Sequence, residues 1–281
     1  MKPRRSRPLV AGTVDGPARQ AANSLMGMAA SATRLGGPAL AGVLILTVGP
    51  GWAFVLDAAS FTVSAGTLAL LRLRHVDVPR RSLHADLVAG WAELRSRTWY
   101  WSSLIGHATW NLAAGVLMTL APVIAVTELG GRGVWLAALQ ASAVGYLISS
   151  AIAERARVRR PILVGNLALM TYGAPLLLFA FTAPAWAAVA GYGIAIGCLG
   201  FLNPVWETAV QREVPGEVLA RVTAYDWLVS LAATPLGYAL GPALASAVGP
   251  AWPLGGSAVL VIIALLVPTL VPSVRDLRLV P

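Results

Sequence analysis

Lysine and cysteine are almost absent from this 281-residue chain. The single lysine is Lys2, so the sequence holds no Walker-type phosphate loop, which needs a lysine on the β- and γ-phosphates. The single cysteine, Cys198, lies in an apolar stretch, and one cysteine forms neither an intrachain disulfide nor a thiolate metal cluster. These absences argue against transport driven by ATP hydrolysis within this chain and against a cysteine-based metal site.

Catalytic patterns are also missing from the sequence. The three histidines, His75, His84 and His107, show neither the i,i+4 pairing nor the flanking glutamate of a metalloprotease helix. No candidate nucleophile stands beside a candidate base. We therefore predict a protein that is not an enzyme, holds no metal and needs no cofactor.

Charge of either sign is scarce, whereas long apolar runs are frequent. Charged residues make up 12% of the chain, hydrophobic residues 57%, and the mean hydropathy is +0.71, whereas ordinary soluble domains are about one-quarter charged. A membrane-spanning helix needs about 20 apolar residues, and eight stretches satisfy this requirement. They lie near 22–47, 52–71, 99–125, 134–153, 161–182, 185–206, 222–247 and 252–271. The predicted fold is an all-α polytopic membrane protein with about eight transmembrane helices.

The basic residues predict the orientation of these spans. Of the 21 lysines and arginines, 19 fall in segments on one side of the predicted membrane, namely 1–19, 72–97, 154–160, 212–221 and 275–278. Only Arg132 lies in a connection on the other side. The positive-inside rule then predicts that both termini are cytoplasmic, and we expect a multi-pass protein of the plasma membrane. The net charge of +9 is thus a topological signal, and no nucleic-acid partner is predicted.

A repeated motif divides the chain. Gly-Pro-Ala-Leu-Ala occurs at 37–41 and again at 241–245, each time on a stripe of small residues that lets helices approach closely. Such self-similarity indicates a membrane protein built from repeated halves. We expect five segments: a cytoplasmic segment 1–21, two helices in 22–71, a linker with an amphipathic helix in 72–98, a six-helix bundle in 99–271 and a tail in 272–281. Leu83, Leu87, Trp91 and Leu94 form the apolar face of the linker helix.

Several motifs together resemble a known family. They are Ala22-Asn23, the run from Arg34 to Gly42, Leu56 to Phe61, Trp206 to Pro215, Leu219 to Val222, Pro235 to Gly237 and Pro272 to Arg275. With these residues the chain resembles the major facilitator superfamily (MFS), and most closely its exporters of the transmembrane secretion effector or enterobactin exporter type. Its spans would correspond to helices five to twelve of that family, and the first four helices have no counterpart in this sequence.

The resemblance implies secondary active transport. The expected activity is proton-coupled efflux of a small molecule, such as a drug or a siderophore, with membrane lipid, the substrate and protons as partners. Two alternatives remain open at this point. One is a permease subunit that works with a separate ATPase, and the other is a truncated homologue that does not transport. A partner chain that supplies the missing helices is a further alternative.

Polar side chains inside predicted spans are the candidate site residues, because each is costly in hydrocarbon. His107 and Asn111 lie one helical turn apart, with Trp110 beside them, and histidine titrates near neutral pH. The span at 185–206 and its end add a second group, Tyr192, Asn203, Trp206 and Glu207. The two spans resemble the cavity-lining seventh and tenth helices of the family, and this resemblance implies that both groups line a substrate and proton pathway. A hydrogen bond between helices is the competing explanation for the first group.

Two further groups follow from the resemblance. An antiporter-like motif comprises Arg34, Gly37, Pro38, Gly42 and Asp57, in which Arg34 and Asp57 are expected to pair. A cytoplasmic gate comprises Glu154, Arg155, Arg159, Arg160, Arg221 and Asp226. A plain positive-inside anchor explains the arginines of the gate equally well, but it does not require the acidic residues.

Overall fold

The computed structural model describes residue 47 and residues 49–70, 83–156, 158–215 and 218–278. The chain divides into two compact units, residues 1–80 and 81–281, and the division falls inside the predicted linker. Each unit is described by itself. Of the first unit, the described part is essentially helix α1, Pro50–Leu70. The predicted span at 22–47 lies outside the described residues except for Thr47.

The second unit is a helical bundle. Its helices are α2 (Leu83–Ser96), α3 (Thr98–Thr127), α4 (Arg132–Arg155), α5 (Pro161–Met170), α6 (Gly173–Ala180), α7 (Ala185–Glu213), α8 (Leu219–Val248), α9 (Ala251–Thr269) and α10 (Pro272–Arg275). Within the described part of the chain, six segments are long and apolar enough to cross a membrane. They are α3, α4, α5 with α6, α7, α8 and α9. The chain is therefore an all-α, multi-pass membrane protein.

Within the described residues, the predicted spans agree closely with these helices except at the end of α7. Helix α1 covers the predicted span at 52–71 to within one residue of its end. Helix α7 continues to Glu213, about two turns beyond the predicted end at residue 206. The prediction ended too early because Glu207 was taken as the start of the membrane interface, whereas in the structure the helix continues through it.

The span formed by α5 and α6 breaks at Thr171 and Tyr172. Pro175 causes the break, since proline has no N–H to donate to the carbonyl four residues earlier. The Thr171 carbonyl instead accepts a hydrogen bond from the Ala174 N–H at 3.0 Å. This tighter turn keeps the Thr171 carbonyl hydrogen-bonded, which is required because backbone polar groups inside a membrane have no water to bind.

Glycines set the distance between two pairs of helices. In α8, a Cβ on Gly237 would lie 3.0 Å from the Cα of Gly115 in α3, so the two backbones touch. Helices α4 and α7 pack in the same way, with Gly145 against Gly193 and Gly197. These contacts are the small-residue packing typical of membrane helices. The sequence predicted the small-residue stripe that precedes the motif at 241–245, but not the helix that it contacts.

Serine hydroxyls complete the contact between α4 and α7. Pro204 lies inside α7 and leaves the carbonyl of Gly200 without its helical donor. The Ser150 hydroxyl of α4 donates to this carbonyl at 2.9 Å, and the Ser149 hydroxyl donates to the carbonyl of Gly197. The proline in α7 is therefore accommodated by hydrogen bonds from the neighbouring helix.

Helix α2 packs against α8. Its Gly90 lies against the Tyr225 ring, where an added Cβ would come within 2.9 Å of a ring carbon, and the ring of Trp91 lies 6.0 Å from that of Tyr225. Leu94 is buried, whereas Trp91 is 46% exposed. The predicted amphipathic helix is thus attached to the end of the bundle by the side that carries Gly90 and Leu94. The side chains of Leu83 and Leu87 lie outside the description.

Candidate functional site

A cavity of about 420 Å³ lies between α3, α7 and α8, with Leu169 of α5 at its wall. Its volume falls within the range of small-molecule pockets. Its polar and aromatic lining comprises His107, Trp110, Asn111, Asn203, Trp206, Glu207, Gln211, Thr223, Asp226, Trp227 and Ser230. Six of the seven residues predicted to line the pathway are in this lining.

The chain directions of three helices explain this convergence. Helices α3 and α8 begin on the side of the bundle where α10 packs. Helix α7 runs in the opposite direction and finishes on that same side. His107 and Asp226 lie near the starts of their helices and Trp206 near the end of α7. At 1.5 Å of rise per residue, each lies roughly 10–14 Å from that end. The three side chains therefore meet at one depth although they are far apart in sequence.

Trp206 is the centre of an aromatic cluster. Its ring centroid lies 4.6 Å from that of His107 and 5.3 Å from that of Tyr100. Trp99 packs on it at 5.7 Å in an edge-to-face arrangement. Such contacts stabilise ring pairs beyond the burial of their area, so they fix the imidazole of His107 and the indole of Trp206 at the cavity wall.

Asp226 connects three helices through hydrogen bonds. The indole N–H of Trp206 donates to its Oδ2 at 2.9 Å, and the Tyr100 hydroxyl donates to the same oxygen at 3.0 Å. Its other oxygen, Oδ1, accepts from the Ser230 hydroxyl at 3.3 Å. The gate prediction placed Asp226 among the arginines, whereas the structure places it in the cavity wall. Asp226 lies inside the predicted span at 222–247, so the criterion that selected His107, a polar side chain within a span, would also have identified Asp226 as a cavity residue.

Two buried nitrogens in the cavity wall lack a partner. His107 and Trp110 are 8% and 7% exposed, and in the part of the chain that is described neither His107 Nε2 nor Trp110 Nε1 has a hydrogen-bond partner. An unpaired polar group in a buried place is costly. A bound molecule with a suitable donor or acceptor would remove this cost.

Asn111 behaves differently from its two neighbours. Its side-chain amide donates to the His107 carbonyl at 2.9 Å, and its oxygen accepts a hydrogen bond from the Thr234 hydroxyl of α8 at 3.3 Å. The competing explanation, a hydrogen bond between helices, therefore has a basis for Asn111. Among the described residues, the imidazole Nε2 of His107 has no such hydrogen bond.

The second predicted group is split by the structure. Asn203 lines the cavity while its amide donates to the Tyr146 hydroxyl at 3.1 Å, and Glu207 is exposed in the same lining. Tyr192 is not in the lining. It packs against Trp135, and its hydroxyl lies 3.8 Å from the sulfur of Met118. Tyr192 and Asn203 share one span, but 11 residues of α helix separate them by about 16 Å along the helix axis, so they lie at different depths.

The gate residues other than Asp226 lie outside the cavity lining. Arg155 is exposed and donates to the Ala151 carbonyl at 3.0 Å, and Arg159 is also exposed. Arg160 and Arg221 are partly exposed, and the side chain of Glu154 is outside the description. The gate itself stays a prediction.

The antiporter-like motif lies almost wholly outside the described residues. Arg34, Gly37, Pro38 and Gly42 belong to the segment that is not described, and Asp57 is exposed on α1. The predicted pairing of Arg34 with Asp57 therefore stays a prediction.

Comparisons with known proteins agree with the resemblance. Residues 6–233 match the family described as Major Facilitator Superfamily. The chain is also similar to a multidrug efflux pump, Tap, of Mycolicibacterium fortuitum, with 28% identity over 227 residues. The match covers 76% of this chain and 54% of the relative, so the chain spans about half the length of the curated relative that it matches. The finer resemblance to exporters of the enterobactin type stays a prediction.

Proposed function

This chain belongs to the Major Facilitator Superfamily of transporters, and we propose that it acts in proton-coupled efflux of a small molecule of the drug or siderophore type. The observation that carries the proposal is the 420 Å³ cavity between α3, α7 and α8. Its wall combines apolar side chains with a few polar groups, as small-molecule sites do. The similar protein from Mycolicibacterium fortuitum is a multidrug efflux pump, and this supports the outward direction.

His107 is the proposed proton-binding group. It lines the cavity and faces Trp206 of α7, and the acidic groups in the same wall are Glu207 of α7 and Asp226 of α8. Tyr100 lies two turns earlier on the same helix and contacts Asp226. Helices α5 and α9, which also pack on α3, contribute no titratable side chain in their sequences. A proton on His107 would thus interact electrostatically with both carboxylates of the cavity.

Drug accumulation in cells tests the proposed efflux. We expect cells without endogenous pumps to hold severalfold less ethidium when they express this chain, and a protonophore to remove the difference. Fluorescence of cell-associated ethidium measures it, with an empty vector as the control. Equal accumulation in both strains would contradict the proposal and favour a non-transporting homologue, whereas a difference that persists with protonophore but disappears on ATP depletion would favour a permease that works with an ATPase.

The proposed orientation places the arginine-bearing end of the bundle in the cytoplasm. A reporter inserted after Arg160, between α4 and α5, should register as cytoplasmic. One inserted after Gly130, between α3 and α4, should register as external because α4 separates the two positions. A paired alkaline phosphatase and green fluorescent protein fusion measures both locations, and an identical location for the two reporters would remove α4 from the set of spans.

A further inference from the structure

The electrostatic character of the cavity wall is one-sided. Glu207 and Asp226 carry carboxylates, whereas no lysine or arginine is among the described residues that line it. Besides these two carboxylates, the lining contains one histidine, His107. Two carboxylates and no fixed cation make the cavity attractive to a positively charged molecule.

Asp226 is held in place by neutral groups only. Its partners are the Trp206 indole, the Tyr100 hydroxyl and the Ser230 hydroxyl, and within the described residues it has no ion pair. The two donors at 2.9 and 3.0 Å both bind Oδ2, so Oδ1, with its longer contact of 3.3 Å to Ser230, retains acceptor capacity. The carboxylate is thus oriented but its charge is not neutralised.

The aromatic lining fits the same kind of ligand. Trp110, Trp206 and Trp227 line the cavity beside Asp226, and indole faces attract cations as well as apolar rings. The unpartnered nitrogens of His107 and Trp110, both more than nine-tenths buried, show independently that the wall offers polar groups that the protein itself does not use.

We propose that Asp226 is the charge-selecting residue of this cavity and binds the positive group of an amphipathic aromatic cation. The tryptophans contact the apolar body of the ligand, and the carboxylate contacts its charge. This inference rests on the proposed function for the biological role of the site. It concerns binding alone, however, and its test needs no transport.

Equilibrium binding to the purified chain in lipid nanodiscs tests the inference. The probes are tetraphenylphosphonium, a monovalent cation, and triphenylphosphine oxide, a neutral molecule of related shape. We expect Asp226→Asn to weaken tetraphenylphosphonium binding by about tenfold or more, because it removes an attraction that is strong at the low effective dielectric of a protein. Binding of the phosphine oxide should change by less than about twofold, and Asp226→Glu should restore binding of the cation.

Two further variants separate charge selection from a structural role. Ser230→Lys would place a cation one turn from Asp226 while both strong donors to the carboxylate remain, and it should abolish preference for the cationic probe. It therefore tests the proposal even where Asp226→Asn does not fold. Glu128→Gln, which neutralises an exposed carboxylate beyond the other end of α3, is the matched control and should bind both probes normally.

Several outcomes would overturn the inference. They are unchanged cation binding by folded Asp226→Asn, an equal loss of both probes in that variant, and a wild-type chain that binds the neutral probe as well as the cation. An efflux defect with intact charge preference would contradict the proposed function and leave the charge-selecting role of Asp226 standing.

Discussion

Replacing Gly237 by alanine should destabilise the bundle markedly. The added methyl group would overlap the carbonyl oxygen of Leu112 and lie 3.0 Å from the Cα of Gly115. These are backbone atoms, so no side chain can rotate away, and α3 and α8 must separate. Overpacking typically costs about 1–3 kcal/mol, and an unyielding backbone contact places this variant at the upper end. We expect a thermal midpoint lower by roughly 5 °C or more, measured by fluorescence-detected size exclusion after heating.

Gly256→Ala is the matched control. Gly256 lies within α9, and no heavy atom lies within 4 Å of a Cβ built there. In a helix, alanine is favoured over glycine by up to about 1 kcal/mol, so this variant should be as stable as the parent chain or more stable. A Gly237→Ala protein with an unchanged midpoint would show that α3 and α8 do not touch as described. The same glycine-to-alanine change should therefore lower the thermal midpoint at position 237 and leave it equal or higher at position 256. This difference makes the comparison specific to helix packing.

The sequence predicted the helices of the second unit well because membrane spans are specified locally. About 20 apolar residues between basic clusters define a span, and the predicted spans at 99–125 and 222–247 correspond to α3 and α8 within a few residues. The late end of α7 escaped prediction because an interfacial glutamate and one within a helix look alike in sequence. The break between α5 and α6 has a local signal in Pro175, which the span prediction did not use.

Helix pairing was less accessible from the sequence. The stripe at Gly237 predicts a close contact, but it contains no information about the partner helix. The pairing of Gly237 with Gly115 depends on the tertiary arrangement, in which segments more than 100 residues apart meet. Glycine patterns therefore predict that a helix packs closely and leave open against which neighbour.

The site was predicted in part for a similar reason. His107 and Trp110 were predicted because polar or aromatic groups deep in apolar spans are unusual, whereas Trp206, at the end of its span, was predicted through the resemblance to a cavity-lining helix. Tyr100 was missed because it lies between Trp99 and Trp101, where the aromatic residues indicate a membrane interface. Only the packing of α3 on α8 brings its hydroxyl to Asp226. Hydrogen bonds between distant helices have no signal in a single sequence.

His107→Gln should abolish coupling of efflux to the proton gradient. Glutamine keeps a polar group of similar reach next to Trp206, but it does not titrate between pH 5 and 8 as histidine does. We expect the stimulation of substrate movement by an imposed pH gradient to fall at least about tenfold, since a proton that does not bind at position 107 cannot drive the cycle. Membrane vesicles loaded with ethidium, with and without the gradient, measure the ratio of the two rates.

The ratio of the rates with and without the pH gradient distinguishes a loss of proton coupling from general structural damage. A variant that is merely damaged by a poorer contact with the Trp206 ring, now at 4.6 Å, would lose rate with and without the gradient and leave the ratio unchanged. His84→Gln provides a matched control, because it removes a histidine from α2, outside the candidate spans, and should keep the full ratio. Normal stimulation in His107→Gln would assign His107 to packing and move the proton to a carboxylate of the same wall, where Asp226 and Glu207 are the residues to test next.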